Sequence, residues 1–280
     1  MTVLEVLQST TAYFKKRRVE SPRLNAEHLL AHILKRKRIE LYLEFERTLT
    51  EEELAPLREL VRRRGQGEPL QHLLGTVEFG GHLFVCDKRA LVPRPETEQL
   101  VDMLNAECGM RNGKCRILDV GAGSGVIALS LAAKFPQAEV HAVDISDEAL
   151  ELAAENAARL NLASRVTFLR SDLLTCVTHV YDLIVANLPY VATGDRASLS
   201  REVLHDPEIA LFGGEHGDEI VRKLVDSARV HLSAGGLLAL EVGLGQADDL
   251  AGLMAEKNYH DIKVERDYGG VIRFLFGRYG

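Results

Sequence analysis

The sequence predicts an α/β protein: an open, mostly parallel sheet with helices on both faces, preceded by a small helical bundle. Three observations carry that expectation. From residue 116 onward, short apolar runs alternate with longer amphipathic stretches, the pattern of parallel strands joined by crossover helices. The first of these runs closes on Leu118-Asp119-Val120 and passes into Gly121-Ala122-Gly123-Ser124-Gly125, a strand, a glycine loop and a helix start in succession. The first 70 or so residues, by contrast, repeat helical signals without a convincing strand.

Taken in order, Ser21 followed by Pro22 starts a helix whose Leu24, Leu29, Leu30, Ile33 and Leu34 keep to one stripe. Thr50 and Glu53 have capping-box spacing ahead of Leu54, Leu57, Leu60 and Val61. Gly65, Gly67 and Pro69 break the bundle, and Phe79-Gly80-Gly81-His82-Leu83-Phe84-Val85 reads as a hairpin-like connector. The expected organisation is a helical domain over 1–75, the connector over 76–92 and the main domain over 93–280. Strands are expected near 116–120, 139–144, 165–170, 181–186 and 236–242, and helices near 124–134, 147–160, 218–232 and 246–257. Ile262-Lys263-Val264 and Val271-Ile272-Arg273-Phe274-Leu275-Phe276, separated by Asp267-Tyr268-Gly269-Gly270, suit an antiparallel pair at the end of a sheet of about seven strands.

Composition removes several function classes. No stretch approaches the roughly 18 consecutive apolar residues of a spanning helix, and the start lacks a basic segment followed by an apolar one, so cytoplasmic residence is the default. Cys86, Cys108, Cys115 and Cys176 show no C-x-x-C pairing and the histidines do not cluster at ligand spacing, so reduced thiols are expected and no metal. A net charge of −7 opposes a chain that tracks nucleic acid by neutralising phosphates. The charge is uneven, with 14 Lys and Arg against 12 Asp and Glu in residues 1–85. Lys15-Lys16-Arg17-Arg18, Lys35-Arg36-Lys37-Arg38 and Arg62-Arg63-Arg64 all fall there, either as solvated helix faces or as a docking surface for an acidic or RNA-like partner.

The glycine loop places backbone amides and a helix start at the carboxyl edge of the sheet. Nicotinamide enzymes share the pattern, but their fingerprint wants a small residue where Val126 stands. Asp144, 23 residues after Gly121 and followed by Ile145, ends the second strand where a carboxylate accepts both ribose hydroxyls of an adenosyl group. Asp172 and Leu173, after the third strand, are placed to meet an adenine ring; a plain helix cap is the other reading. Asn187-Leu188-Pro189-Tyr190 closes the apolar run Leu183-Ile184-Val185-Ala186. A planar carboxamide, a carbonyl restrained by the following proline and an aromatic ring at one strand end can hold a planar amino group facing a cofactor.

Together, Asp119 to Gly125, Asp144 and the Asn187 to Tyr190 tetrapeptide resemble a class I S-adenosylmethionine-dependent methyltransferase, with its Rossmann-like seven-stranded sheet. Arg64-Gly65-Gln66-Gly67-Glu68-Pro69-Leu70, Pro93-Arg94-Pro95-Glu96-Thr97-Glu98 and Asp206-Pro207-Glu208-Ile209-Ala210-Leu211-Phe212-Gly213-Gly214 extend the resemblance, over almost the whole chain, to the PrmC/HemK family. That resemblance implies S-adenosyl-L-methionine as cofactor, class 1 peptide-chain release factors as protein substrates, and methylation of the glutamine side-chain nitrogen in their Gly-Gly-Gln motif. It implies that Asp119, Gly121, Ala122, Gly123, Ser124, Gly125, Asp144, Ile145, Asp172, Leu173 and Asn187 line the cofactor. Asn187, Leu188, Pro189 and Tyr190 would then hold the substrate amide, the Asn187 oxygen and the Leu188 carbonyl each accepting one hydrogen. Leu188 departs from the family, which carries proline there, yet it supplies the same carbonyl. Arg94, Glu96 and Glu98 either line the cofactor pocket or tie the connector to the next helix. The alternatives are methylation of an exocyclic base amine in DNA or rRNA, methylation of a ribosomal-protein glutamine, and a module that holds the cofactor without turnover. The first lacks a basic target-recognition domain and, with no Trp, stacking platforms.

Overall fold

The computed structural model describes residues 1–107 and 115–280, so Cys108 lies outside the described residues. The chain divides into two compact units, Met1–Thr76 with Ser200–His205, and Val77–Leu199 with Asp206–Gly280.

The first unit is helical, with α1 (Val3–Lys16), α2 (Pro22–Leu34), α3 (Glu51–Gly65) and the short α4 (Leu70–Leu74). Thr2 with Glu5 and Thr50 with Glu53 form reciprocal capping boxes on α1 and α3, each satisfying two otherwise orphaned amides. Ser21 sits in the left-handed region with no side-chain cap, so Pro22 alone starts α2 by presetting its backbone angle. Val3, Leu7, Phe14, Leu29, Leu30 and Leu57 form the unit's core. The triplet Arg62-Arg63-Arg64 is not one basic face. Arg62 pairs with Glu59 and Arg63 with Glu68 at the surface, whereas Arg64 is buried, donating to Asn25 Oδ1 at 2.7 Å and to Glu202 Oε2 at 2.6 Å. The period of the helix turns every third to fourth position inward, and Arg64 falls on that side.

The second unit opens with a hairpin of β1 (Thr76–Phe79) and β2 (His82–Val85), which buries Phe79 and Phe84 edge to face in the main core. After α5 (Pro95–Glu107) come β3 (Arg116–Val120), α6 (Val126–Lys134), β4 (Glu139–Asp144), α7 (Asp147–Arg159), β5 (Val166–Arg170) and β6 (Tyr181–Asn187). A two-strand ladder of β7 (Val191–Ala192) and β8 (Phe212–Gly214) precedes α8 (Glu219–Ala228), β9 (Leu232–Glu241), α9 (Ala247–Glu256), β10 (Tyr259–Arg266) and β11 (Ile272–Tyr279). Among the described residues the main sheet has seven strands in the order β10-β11-β9-β6-β3-β4-β5, with β11 antiparallel to both neighbours and the other pairs parallel.

Alternation along the central strands feeds a core on each face. Ile117, Leu183 and Val185 join one with α5 and α6, while Leu118, Ile184 and Ala186 join the other with α8 and α9. Burial on both faces explains why these strands are continuous apolar runs. β9 begins at Leu232, ahead of its apolar core, where it pairs with Tyr181 of β6, and β10 and β11 outrun theirs because their ladders carry through His260 and Arg278 without needing apolar side chains. Strand order reverses between β3 and β6, so the crevice at their carboxyl ends lies at the topological switch point where ligands bind in such sheets. No helix among the described residues is long and apolar enough to cross a membrane.

Candidate active site

At that switch point lies a cavity of about 280 Å³, largely apolar, with walls from the glycine loop, the ends of β4, β5 and β6, the segment before α5, and Pro207 to Ala210. It brings together Gly121, Ala122, Gly123, Ser124, Asp144, Ile145, Asp172, Leu173, Asn187, Leu188 and Pro189. Asp119, Gly125 and Tyr190 stand outside its lining. The reason differs for each.

Gly121 and Gly123 have φ of +78° and +54°, open to glycine at no steric cost. A Cβ at Gly123 meets only Ala90, at 3.9 Å, so the space before the loop is open; one at Gly121 would lie 2.8 Å from Leu188 Cδ2. Gly125 is the residue before α6 and has no side chain to cap it. Asp119 takes over that task from beneath, its Oδ2 accepting from the Ala128 amide at 3.0 Å. Fully buried, its carboxyl is pushed up to about 7 by burial, with the Asp144 charge adding and the Ala128 amide opposing. A buried acid with a raised pKa stabilises the fold in its protonated form, so its contribution is present below about pH 4 and is lost as pH rises through about 7. Asp119→Asn is therefore expected to gain melting temperature relative to the parent on going from pH 6 to pH 8. Parallel melting curves would show that Asp119 does not titrate in that window.

Asp144 is pinned by the loop it faces, with Oδ2 accepting from Gly123 N at 2.8 Å and Oδ1 from Ser146 N at 2.9 Å. A carboxylate has about four lone-pair sites, so one on each oxygen remains. Ile145 is exposed beside it, and Leu173 holds a left-handed φ of +50° against the core shared with α8 and α9, a conformation that costs a non-glycine residue of order 1 kcal/mol. Asp172 is exposed at the rim.

Leu188 is 5% exposed and packs on Gly121 and the core of that face. The leucine thus fills the space under the glycine loop. Leu188→Pro removes part of that packing and keeps the carbonyl, so it should lose about 1–3 kcal/mol of stability yet turn over within about tenfold of the parent. A folded but inactive Leu188→Pro would mean the carbonyl is not what residue 188 contributes. Tyr190 is half-buried outside the cavity lining with the Arg273 guanidinium 6.0 Å from its ring centre, and burial raises its phenol above the usual range.

Arg94 does both things expected of it: it lines the cavity, and its Nη2 donates to buried Asp206 Oδ2 at 2.7 Å while Asp206 Oδ1 accepts from Val92 N, so the pair ties the segment before α5 to the Pro207 to Ala210 wall. Glu98 accepts from the Gly80 amide at 3.0 Å and so holds the hairpin. Two residues that the sequence did not single out lie next to Asn187. Thr97 Oγ1 accepts from Asn187 Nδ2 at 2.9 Å and donates to Glu241 Oε2 at 2.7 Å. Glu241 pairs with Asn187 across the β6 and β9 ladder, is 2% exposed, and closes an apolar strand. An acid ending such a run was the available signal.

The PrmC N-terminal domain profile matches residues 5–75, and the methyltransferase small domain profile matches residues 95–215. The release factor glutamine methyltransferase of Koribacter versatilis is 39% identical, over 99% of this chain and 99% of its own. That of Deinococcus radiodurans is 41% identical over the same shares. Among solved structures, the hMettl16 catalytic domain superposes with a TM-score of 0.58 at 14% identity, covering 82% of this chain and 83% of its own. A T. thermophilus 16S rRNA methyltransferase, RsmC, solved with AdoMet and guanosine, gives 0.53 at 20% identity over 73% of this chain and 50% of its own. These two establish the methyltransferase fold. With full-length identity near 40% to its curated relatives and both family domains in register, the chain belongs to the release factor glutamine methyltransferase family.

Proposed function

We propose that this protein transfers a methyl group from S-adenosyl-L-methionine to the side-chain amide nitrogen of the glutamine in the Gly-Gly-Gln motif of class 1 release factors. The observation that carries the chemistry is the placing of Asn187, Leu188 and Pro189 on one cavity with Asp144 and the glycine loop. The residues fit the cofactor: the loop offers a cradle that a Cβ at Gly123 would occupy, and Asp144 keeps one acceptor site per oxygen for two ribose hydroxyls. Ile145, Asp172 and Leu173 would hold the adenine end. When bound, S-adenosylmethionine supplies an electrophilic methyl on a sulfonium.

The chain's own task is orientation. A glutamine amide nitrogen is a weak nucleophile because its lone pair is delocalised into the carbonyl. The Asn187 Oδ1 and the Leu188 carbonyl each accept one of its hydrogens, which turns the nitrogen toward the methyl and stabilises the positive charge that develops on it. Positioning of this kind supplies up to about 7–11 kcal/mol. The methylated nitrogen, made strongly acidic by its positive charge, gives up one of its two hydrogens to water, so no strong general base is needed, and Tyr190 supports the tetrapeptide through packing. The helical residues 1–75 are proposed as the release-factor docking part, with Arg62 and Arg63 of its basic triplet at the surface.

Incubation with S-adenosylmethionine and unmodified release factor, followed by mass mapping, is expected to place one methyl on the Gly-Gly-Gln glutamine. A chain lacking residues 1–75 should do so poorly while still binding cofactor. Label found only in nucleic acid, or on a ribosomal-protein glutamine, would overturn the assignment.

A further inference from the structure

The Asn187 amide can work only one way round. Its oxygen must face the substrate, yet a carboxamide fits its site almost equally well flipped, with the NH2 group outward and repelling the substrate N–H. Something must select the end. Resting on the function proposed above, we propose that Glu241, acting through Thr97, fixes the orientation of the Asn187 amide, and that both are positioning residues for methyl transfer.

The selection follows from donor and acceptor counts. An ionised Glu241 has acceptors only, so the Thr97 hydroxyl, 2.7 Å away, must give it its single proton. Toward Asn187 the hydroxyl then offers only lone pairs. Asn187 has to present Nδ2, at 2.9 Å, and its Oδ1 is left to the cavity that the residue lines. Protonation of Glu241 reverses the logic. The acid can donate to Thr97 Oγ1, the hydroxyl proton becomes available to Asn187, and the flipped amide is accommodated.

Glu241 is placed to switch in the working range, since burial raises its carboxyl to about 7. The groups that face it are Thr97 and Glu96 on α5, Asn187 at the end of β6, Tyr190 beyond it and Arg273 on β11. Glu96 raises it further, while Thr97, Arg273 and Asn187 oppose. The sign is then set: turnover rises with pH along an acid limb as Glu241 ionises, with cofactor binding unaffected.

The test compares the parent with Glu241→Gln, Thr97→Val and Thr97→Ser from pH 5.5 to 9, following kcat, KM and S-adenosylhomocysteine affinity. At pH 8, Glu241→Gln and Thr97→Val should lose about tenfold or more in kcat with KM within about threefold, and Thr97→Ser should stay within about threefold of the parent. Glu241→Gln should also lack the acid limb. Should that variant fail to fold, the Thr97 pair decides by itself. A second readout needs neither substrate nor cofactor: the Asn187 side-chain NH2, assigned in 15N-labelled protein by its loss in Asn187→Ala, should be protected from exchange in the parent and less protected in Thr97→Val, where only the Glu241 carboxylate is left to hold it. Folded Glu241→Gln and Thr97→Val with parental kcat and an unchanged acid limb would overturn the proposal, as would an unprotected NH2 in the parent. A parent that methylates no glutamine at all would instead defeat the function, leaving the exchange measurement to decide the orientation.

Discussion

Asn187→Ala is expected to fold, to bind S-adenosylmethionine nearly as the parent does, and to lose at least about 100-fold in kcat, roughly 3 kcal/mol of transition-state positioning. The substitution removes the one side-chain acceptor assigned to the substrate amide while leaving the Leu188 carbonyl, the glycine loop and Asp144 in place. The cost to the fold is small by comparison. Thr97 loses its donor from Asn187, worth about 1 kcal/mol, but keeps its bond to Glu241. A cofactor affinity that falls in step with kcat would place Asn187 in cofactor binding rather than in substrate orientation. A kcat within about threefold of the parent would remove the amide-holding scheme, since no other side chain in it accepts from the substrate nitrogen.

Much of this architecture is legible in the sequence because its signals are local. A strand, a glycine loop and a helix follow one another within Arg116 to Lys134, and the acid that ends β4 is adjacent in sequence to the strand that delivers it. Partners that meet only after folding are a different matter. Thr97 and Glu241 are 144 residues apart, and Arg94 and Asp206 are 112 apart. Nothing in periodicity or spacing announces such pairs. Asp119 illustrates a subtler limit: its position at a strand end before the glycines looks the same whether it faces a ligand or caps α6 from below, and only its burial separates the two. Leu188 is similar. As a letter it is a departure from proline, whereas in the fold it is a packed side chain under Gly121.

Asp144→Ala is expected to weaken binding of S-adenosylhomocysteine by about 2–4 kcal/mol, through the loss of two charge-assisted ribose hydrogen bonds. The structure adds a complication that the measurement has to separate. The Gly123 and Ser146 amides also lose their acceptor, so part of the effect comes from a loosened loop, and melting temperature without ligand must be followed beside calorimetric affinity. Asp144→Asn is not a gentle control. One of its two atoms becomes an NH2 group, and whichever way it turns, that group faces either the Gly123 or the Ser146 N–H, two donors with no acceptor between them. Its affinity should therefore fall nearly as far as that of the alanine variant, even though shape is kept. An Asp144→Asn protein with parental affinity would show that the paired geometry of both oxygens is not used, and that the ribose lies elsewhere along the carboxyl edge of the sheet.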